Sequence, residues 1–125
     1  MPKHVHAGEG IVAGSFPFSQ VVEANGFVFL AGQVGDQPGE GMVSGGIEAE
    51  TRQMLDNVGR LLRAVGLDYA DVVKSTVYLR DFDEFARMNA VYREYFPTEP
   101  PTRATVGVTR LAGEFRVEIE VVAAR

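Results

Sequence analysis

The chain contains no cysteine. That absence removes a thiol nucleophile, a CxxC redox pair, a thiolate zinc site and a cysteine-held iron–sulfur cluster. A disulfide-stapled secreted domain goes with them. Histidine is nearly as scarce, with only His4 and His6 near the start. Ser–His catalysis therefore lacks support, and no G-x-S-x-G nucleophile elbow occurs. Long apolar runs are missing too. Stretches such as Phe27–Ala31 are a handful of residues, whereas a transmembrane helix needs about 20, so no membrane partner is expected. Basic residues are outnumbered, 12 Lys+Arg against 17 Asp+Glu, for a formal net charge of −5. No basic cluster offers the stripe that nucleic acid requires, and no nucleic-acid partner is expected. Met1–Gly10 has one Lys and no apolar signal core, so the expected location is cytoplasmic.

What is present fits one globular domain over residues 1–125. The hydrophobic fraction is 46% and the charged fraction 23%, near soluble averages. A chain of this length buries roughly two-thirds of its unfolded surface. Small-molecule or protein partners suit this balance.

The first 14 residues carry no period and read as an arm or an early edge strand. Asn25-Gly26 is a strong hairpin signal, because both turn positions need positive φ; it predicts strands at about 18–24 and 27–34. Gly35–Gly46 holds five Gly and one Pro in twelve residues and reads as a loop. Met54, Val58, Leu61, Leu62 and Val65 form one apolar stripe and predict a helix over Ile47–Val65, with Gly66 suited to the left-handed position after it. Val72–Leu79 is rich in β-branched residues and predicts a strand. Asp81 and Glu84 resemble a capping box opening a helix over 82–96, which Pro97 stops. Its inward stripe is predicted as Phe82, Phe85, Tyr92 and Phe96. Two last strands are expected at Arg103–Leu111 and Phe115–Ala123, joined around Ala112-Gly113. The order ββαβαββ argues an α+β fold, one sheet with two helices on one face.

If the last two strands form a tight hairpin, Ala104, Val106 and Val108 share an apolar face with Val117, Ile119 and Val121. Arg103, Thr105, Gly107 and Thr109 then share the other face with Arg116, Glu118 and Glu120. Two readings of those charges stand: a solvated face with cross-strand ion pairs, or a site. Asn89 falls on the inward helical stripe, where an unpaired amide costs roughly 1–3 kcal/mol. It either satisfies strand-end backbone or meets a ligand. His4 and His6 have the spacing of a strand-borne metal pair, but no carboxylate cluster with ligand spacing is near, and a mobile tail is the expected role. Gly32-Gln33-Val34-Gly35 is neither a G-x-G-x-x-G nor a P-loop. What remains is metal-free acid/base chemistry on carboxylate and guanidinium.

Pro101-Thr102-Arg103-Ala104, then Val106, Leu111 and Val117-Glu118-Ile119-Glu120, resemble the C-terminal signature of the RidA (YjgF) family of reactive intermediate deaminases. Pro17-Phe18-Ser19-Gln20 resembles its G-P-Y-x-Q segment and Ala31-Gly32-Gln33 its S-G-Q strand end. The stretches Gln53–Val58, Asp71–Tyr78 and Phe85–Tyr92 match as well, so the resemblance covers nearly the whole chain. It implies a chorismate-mutase-like fold and a homotrimer with an inner barrel of sheets and sites in clefts between subunits. It implies hydrolysis of small enamino and imino acids, such as 2-aminoacrylate, to keto acids and ammonia without a cofactor.

The roles carried over by the resemblance are specific. Arg103 would clamp the substrate carboxylate, Gly32 would let backbone approach, and Glu118 would activate water. Thr105 would sit beside the arginine, where many relatives carry Cys, and Asn89 would fix the cleft. Three positions depart from the pattern. Phe18 stands where many relatives have Tyr, Ala31 replaces a common Ser, and Thr109 replaces a small residue. The same resemblance is compatible with a non-catalytic binding or protein-protective trimer, and with an RNA-acting role that the negative charge argues against.

Overall fold

In the computed structural model, residues 2–12 and 14–125 are described. Eight strands and two helices follow one another as β1 (His4–Val5), β2 (Val21–Ala24), β3 (Phe27–Val34), β4 (Asp36–Gln37), β5 (Gly41–Met42), α1 (Gly46–Ala64), β6 (Val72–Leu79), α2 (Phe85–Tyr95), β7 (Thr102–Gly107) and β8 (Val117–Ala124). Six strands form one sheet in the order β1-β2-β3-β8-β6-β7, and β4 pairs with β5 as a small separate ribbon inside the glycine-rich segment.

Local chemistry sets the elements. Asn25 and Gly26 have φ of 54° and 81°, the paired positive values of a tight hairpin turn, and β2 pairs β3 antiparallel around them. The arm contributes an edge strand, with His4 opposite Glu23 and Val5 opposite Val22. His6 and Arg125 both bond Glu23, at 2.8 and 2.7 Å, and mainly the Arg125 bond lowers its carboxyl to about 2. His6 is thus tied to a carboxylate rather than loose in a tail; Met1 and Ala13 of the arm lie outside the described residues. Helix α1 ends as expected: Gly66 has φ of 82°, and Leu67 N–H and Gly66 N–H reach back to Leu62 O and Arg63 O, a Schellman motif.

Ile47, Met54, Leu55, Val58, Leu61 and Leu62 of α1 are buried against Val21, Val28, Leu30, Ile119 and Val121 of the sheet. Each such burial contributes about 1.5–3 kcal/mol, more than propensity differences between ordinary residues. Both helices cover the same sheet face. The other face stays open, exposing Val5, Phe27, Phe29 and Val106.

Three expectations are overturned. The last two strands are not a hairpin. β7 pairs β6 in parallel, Ser75 opposite Arg103, while β8 lies between β3 and β6, Tyr78 opposite Glu118. Ser75 and Tyr78 are three apart on one regular strand, so they point to opposite faces. Arg103 therefore shares the helix-side face with Thr105, Val117 and Ile119, while Glu118 and Glu120 lie on the open face. The capping box at Asp81 is also half right. Asp81 accepts from Asp83 N–H, but Glu84 turns inward to Arg116 and Arg87, at 2.9 and 3.1 Å. A 3-10 turn, Phe82–Glu84, precedes the α-helix. Finally Phe82 is exposed rather than inward, and Met88, Val91 and Tyr92 fill the core. The short 3-10 turn rotates Phe82 out of phase with the helix behind it.

Candidate active site

Glu118 is placed by β8 and β3. It sits opposite Val34, just past a register shift between Leu30 and Gln33 that leaves Ala31 and Gly32 as a bulge. The carboxyl lies across Gly32. A Cβ built at Gly32 would collide with Glu118 Oε2 and come within 3.0 Å of its Cδ, so only glycine fits beneath the acid. The bulge is pinned on both sides. Ala31 N–H donates to Gln20 O at 2.8 Å. Gln33, buried, donates through Nε2 to Gln20 Oε1 at 3.0 Å and Ala31 O at 3.1 Å. From α1, Asn57 Nδ2 donates to Val34 O and Asp36 O, both at 2.9 Å.

Among the described residues Glu118 has no ion-pair partner. Burial, and secondarily the neighbouring Glu120, push its pKa above the usual carboxylate range. Glu120 is exposed and accepts a hydrogen bond from the Tyr78 hydroxyl at 2.6 Å. The Glu118 carboxyl opens into a cleft of about 1200 Å³ lined by Phe16, Phe18, Ala31, Gly32 and Gln33. Phe18 is 58% exposed and stacks parallel to Phe16 at 6.5 Å, so it belongs to the cleft wall and not to a dry core.

Arg103 belongs to a second, smaller cleft of about 280 Å³ with Asn89, Tyr92, Phe96 and Pro101. Its guanidinium carbon lies 4.7 Å from the Tyr92 ring centre and 5.7 Å from that of Phe85. No carboxylate among the described residues pairs with it, so the cross-strand ion-pair reading falls. Asn89 Oδ1 and Thr105 Oγ1 are buried without any hydrogen-bond partner. Buried polar atoms are rarely left so; Asn89 shares a cleft with Arg103, and Thr105 is two residues from Arg103 on the same strand face. Asn89 therefore does not satisfy strand-end backbone through that oxygen.

One chain thus carries two separate clefts, one with Glu118 and one with Arg103. The acid side gathers Glu118, Gly32, Ala31 and Phe18; the cationic side gathers Arg103 and Asn89. The sheet separates them. Thr105 lies two residues along β7 from Arg103 but lines neither cleft. Thr109 lies beyond β7 and lines neither cleft. Reasoning from sequence missed the supporting roles of Gln20, Gln33 and Asn57. The signal for Asn57 was there: an amide in register with the buried Met54 and Leu61 must bond something. No group of three or more His, Asp or Glu with metal-binding geometry occurs among the described residues.

Residues 11–125 match the family described as Endoribonuclease L-PSP. Over 108 residues the chain is 45% identical to a RutC family protein of Pyrococcus horikoshii, covering 86% of each. It is 42% identical over 108 residues to the human 2-iminobutanoate/2-iminopropanoate deaminase, covering 86% of this chain and 79% of that one. Among solved structures, E. coli TdcF with bound serine has a TM-score of 0.89 at 31% identity over 98% of each chain. The sequence motifs, the mixed sheet with two helices on one face, and these likenesses agree: the chain belongs to the RidA (YjgF) family, whose named members include imino-acid deaminases.

Proposed function

We propose that the protein hydrolyses small 2-imino acids, and the enamines that tautomerise to them, into 2-keto acids and ammonia. The observation that carries this reading is Glu118: an unpaired carboxyl with raised pKa, lying over a glycine in an open cleft. Such a group can take a proton from water and return it to a leaving amine. Water adds through its oxygen to the imine carbon while Glu118 accepts a water proton. The carbon–nitrogen bond of the resulting carbinolamine then breaks. Glu118 has by then returned the water proton to the nitrogen; as the bond breaks the carboxylate takes the hydroxyl proton and passes it to the amine, so the nitrogen leaves as ammonia and the oxygen remains as the keto oxygen.

In this reading Arg103 holds the substrate carboxylate in its planar fork; the Thr105 hydroxyl is free to donate, and Asn89 Oδ1 is free to accept from an N–H of the guanidinium or of the substrate. TdcF holds serine, a small molecule with a carboxylate and an amine, which is the kind of ligand the two clefts would need. Because Arg103 and Glu118 lie on opposite sheet faces, the working site joins the Arg103 half of one subunit to the Glu118 half of its neighbour. We therefore assign a homotrimer with the open sheet faces turned inward, acting in the cytoplasm without a metal or cofactor. No helix among the described residues is long and apolar enough to cross a membrane.

The test is a steady-state assay of ammonia release from an imine generated in place by an amino-acid oxidase. Turnover above the spontaneous rate supports the proposal. Binding of the keto acid without turnover would favour a non-catalytic trimer. The family description names an endoribonuclease, and cleavage of single-stranded RNA by pure protein would favour that chemistry instead. The net charge of −5 opposes contact with a phosphate backbone.

A further inference from the structure

Arg103 poses a physical question. An arginine side chain has many rotamers, and a carboxylate clamp works only if its plane is held before the ligand arrives. A protein carboxylate could hold it, but would also neutralise it and compete with the ligand. The structure uses rings instead.

We infer that Tyr92 is the positioning residue for Arg103, a fixed aromatic platform that orients the guanidinium while leaving its charge available to an incoming carboxylate. The inference rests on Arg103 being the carboxylate anchor. Its geometry forms a closed loop. The guanidinium carbon stands 4.7 Å from the Tyr92 ring centre. Tyr92 is 6% exposed, and its hydroxyl is 2.8 Å from Ser75 Oγ. Ser75, 1% exposed, is the direct neighbour of Arg103 across β6 and β7. The ring therefore leaves α2, crosses beneath the arginine and is tied at its far end to the strand beside that arginine. Phe96 packs on the ring with centroids 4.7 Å apart, so tilting it needs two contacts to break. Phe85 lies seven residues before Tyr92, two helical turns back on the same face, and adds a second ring at 5.7 Å. A tyrosine needed only for packing would require neither the tether beside Arg103 nor the stacked cation.

The experiment replaces residue 92 with phenylalanine and then with its 4-fluoro, 3,5-difluoro and 3,4,5-trifluoro analogues. The series keeps ring shape while draining the negative ring face that attracts a cation. The readouts are kcat and KM for an enzymatically generated imino acid, with melting temperature alongside. Tyr92→Phe should melt lower, because Ser75 Oγ loses its partner, and it serves as the untethered reference for the fluorinated rings. From that reference KM should climb with each fluorine, reaching roughly 2- to 30-fold, with kcat and melting temperature level. Tyr92→Leu, where it folds, should raise KM at least as far, and the conservative phenylalanine should rescue it. A flat KM across the fluorinated series overturns the inference, as does a KM that follows melting temperature rather than ring charge. Arg103→Ala separates the two levels. If it hydrolyses the imine like wild type, the anchor reading fails and this inference with it. If it is crippled while the fluorinated series is flat, the anchor stands and only the role of Tyr92 falls.

Discussion

Glu118 and Arg103 carry opposite liabilities, and each gives a sharp expectation. The raised pKa of Glu118, caused first by burial and then by Glu120, means that its ionised form disfavours folding. The carboxyl binds its proton more tightly folded than unfolded. Glu118→Gln should therefore melt higher than wild type at neutral pH. The advantage should fade as pH falls through the raised pKa and vanish below the ordinary value of 4.5. The same change should lower kcat by roughly 10²–10⁴, whereas Glu120→Gln, facing solvent and Tyr78, should cost far less. Kinetics and thermal melts from pH 4 to 8 read both; equal losses at 118 and 120 would remove Glu118 as the base. Arg103→Lys keeps the charge but loses the planar fork and the ring contact. Losing one partner of a desolvated charge pair costs on the order of 2–5 kcal/mol, so kcat/KM should drop roughly 30-fold to several thousand-fold with little change in melting. Phe18→Tyr adds one oxygen to an exposed cleft ring. It should leave stability unchanged and imine turnover level or higher, and a large drop in melting temperature would put the ring in packed surroundings after all.

Between elements, one charge network ties the residue before β8 to α1 and to the 3-10 turn that opens α2. Arg116 N–H donates to Glu50 Oε1 at 2.9 Å, and Arg116 Nη1 to Glu84 Oε2 at 2.9 Å. Glu50 and Glu84 are 2% and 5% exposed. Burial raises the pKa of Glu50, and Arg116 opposes that rise. Arg116→Ala would leave two carboxylates buried without their main cation, which costs on the order of 3 kcal/mol. Melting temperature at pH 7 should fall markedly. The gap to wild type should narrow as pH drops and Glu50 takes up its proton. A gap that stays constant with pH would mean that lost packing, not charge, is responsible. The glycine contacts belong to this scale too. At Gly35 a Cβ would meet Glu50 Cα at 2.8 Å, so β3 can run close against α1 only because that residue has no side chain.

At the scale of the whole molecule, the proposed function requires a neighbour, because the acid and the cation of one chain lie on opposite sheet faces. In the proposed closed ring of three, each site would take Glu118 from one chain and Arg103 from the next. Light scattering should give about three times the chain mass. Homotrimers of Arg103→Ala and of Glu118→Gln should each be inactive. Co-expressed, the two chains mix, and about one site in four regains both residues, so near a quarter of wild-type activity should return. Mixed trimers without activity would place the whole site within one chain.

Much of this was legible without coordinates because it rests on local rules. Asn25-Gly26 forces a hairpin, Gly66 ends α1, and the β-branched run Val72–Leu79 is a strand with the bounds expected. The residues of the candidate site were also recoverable, since the signature from Pro101 to Glu120 is carried by residue type and order. Which residues meet is another matter. Alternation along β7 and β8 correctly separates odd from even positions, but it cannot say which set faces the helices. That depends on which strands pair, a long-range choice. Insertion of β8 between β3 and β6 buries Val117, Ile119 and Val121 on both flanks, which a terminal hairpin at the sheet edge would not do. That insertion puts Arg103 on the helix face and Glu118 on the open one. The sequence alone determined most of the elements and named the candidate residues. Only the tertiary pairing decided that the chemistry is split across the sheet, because side-chain period is local while strand order is set by the burial of the whole core.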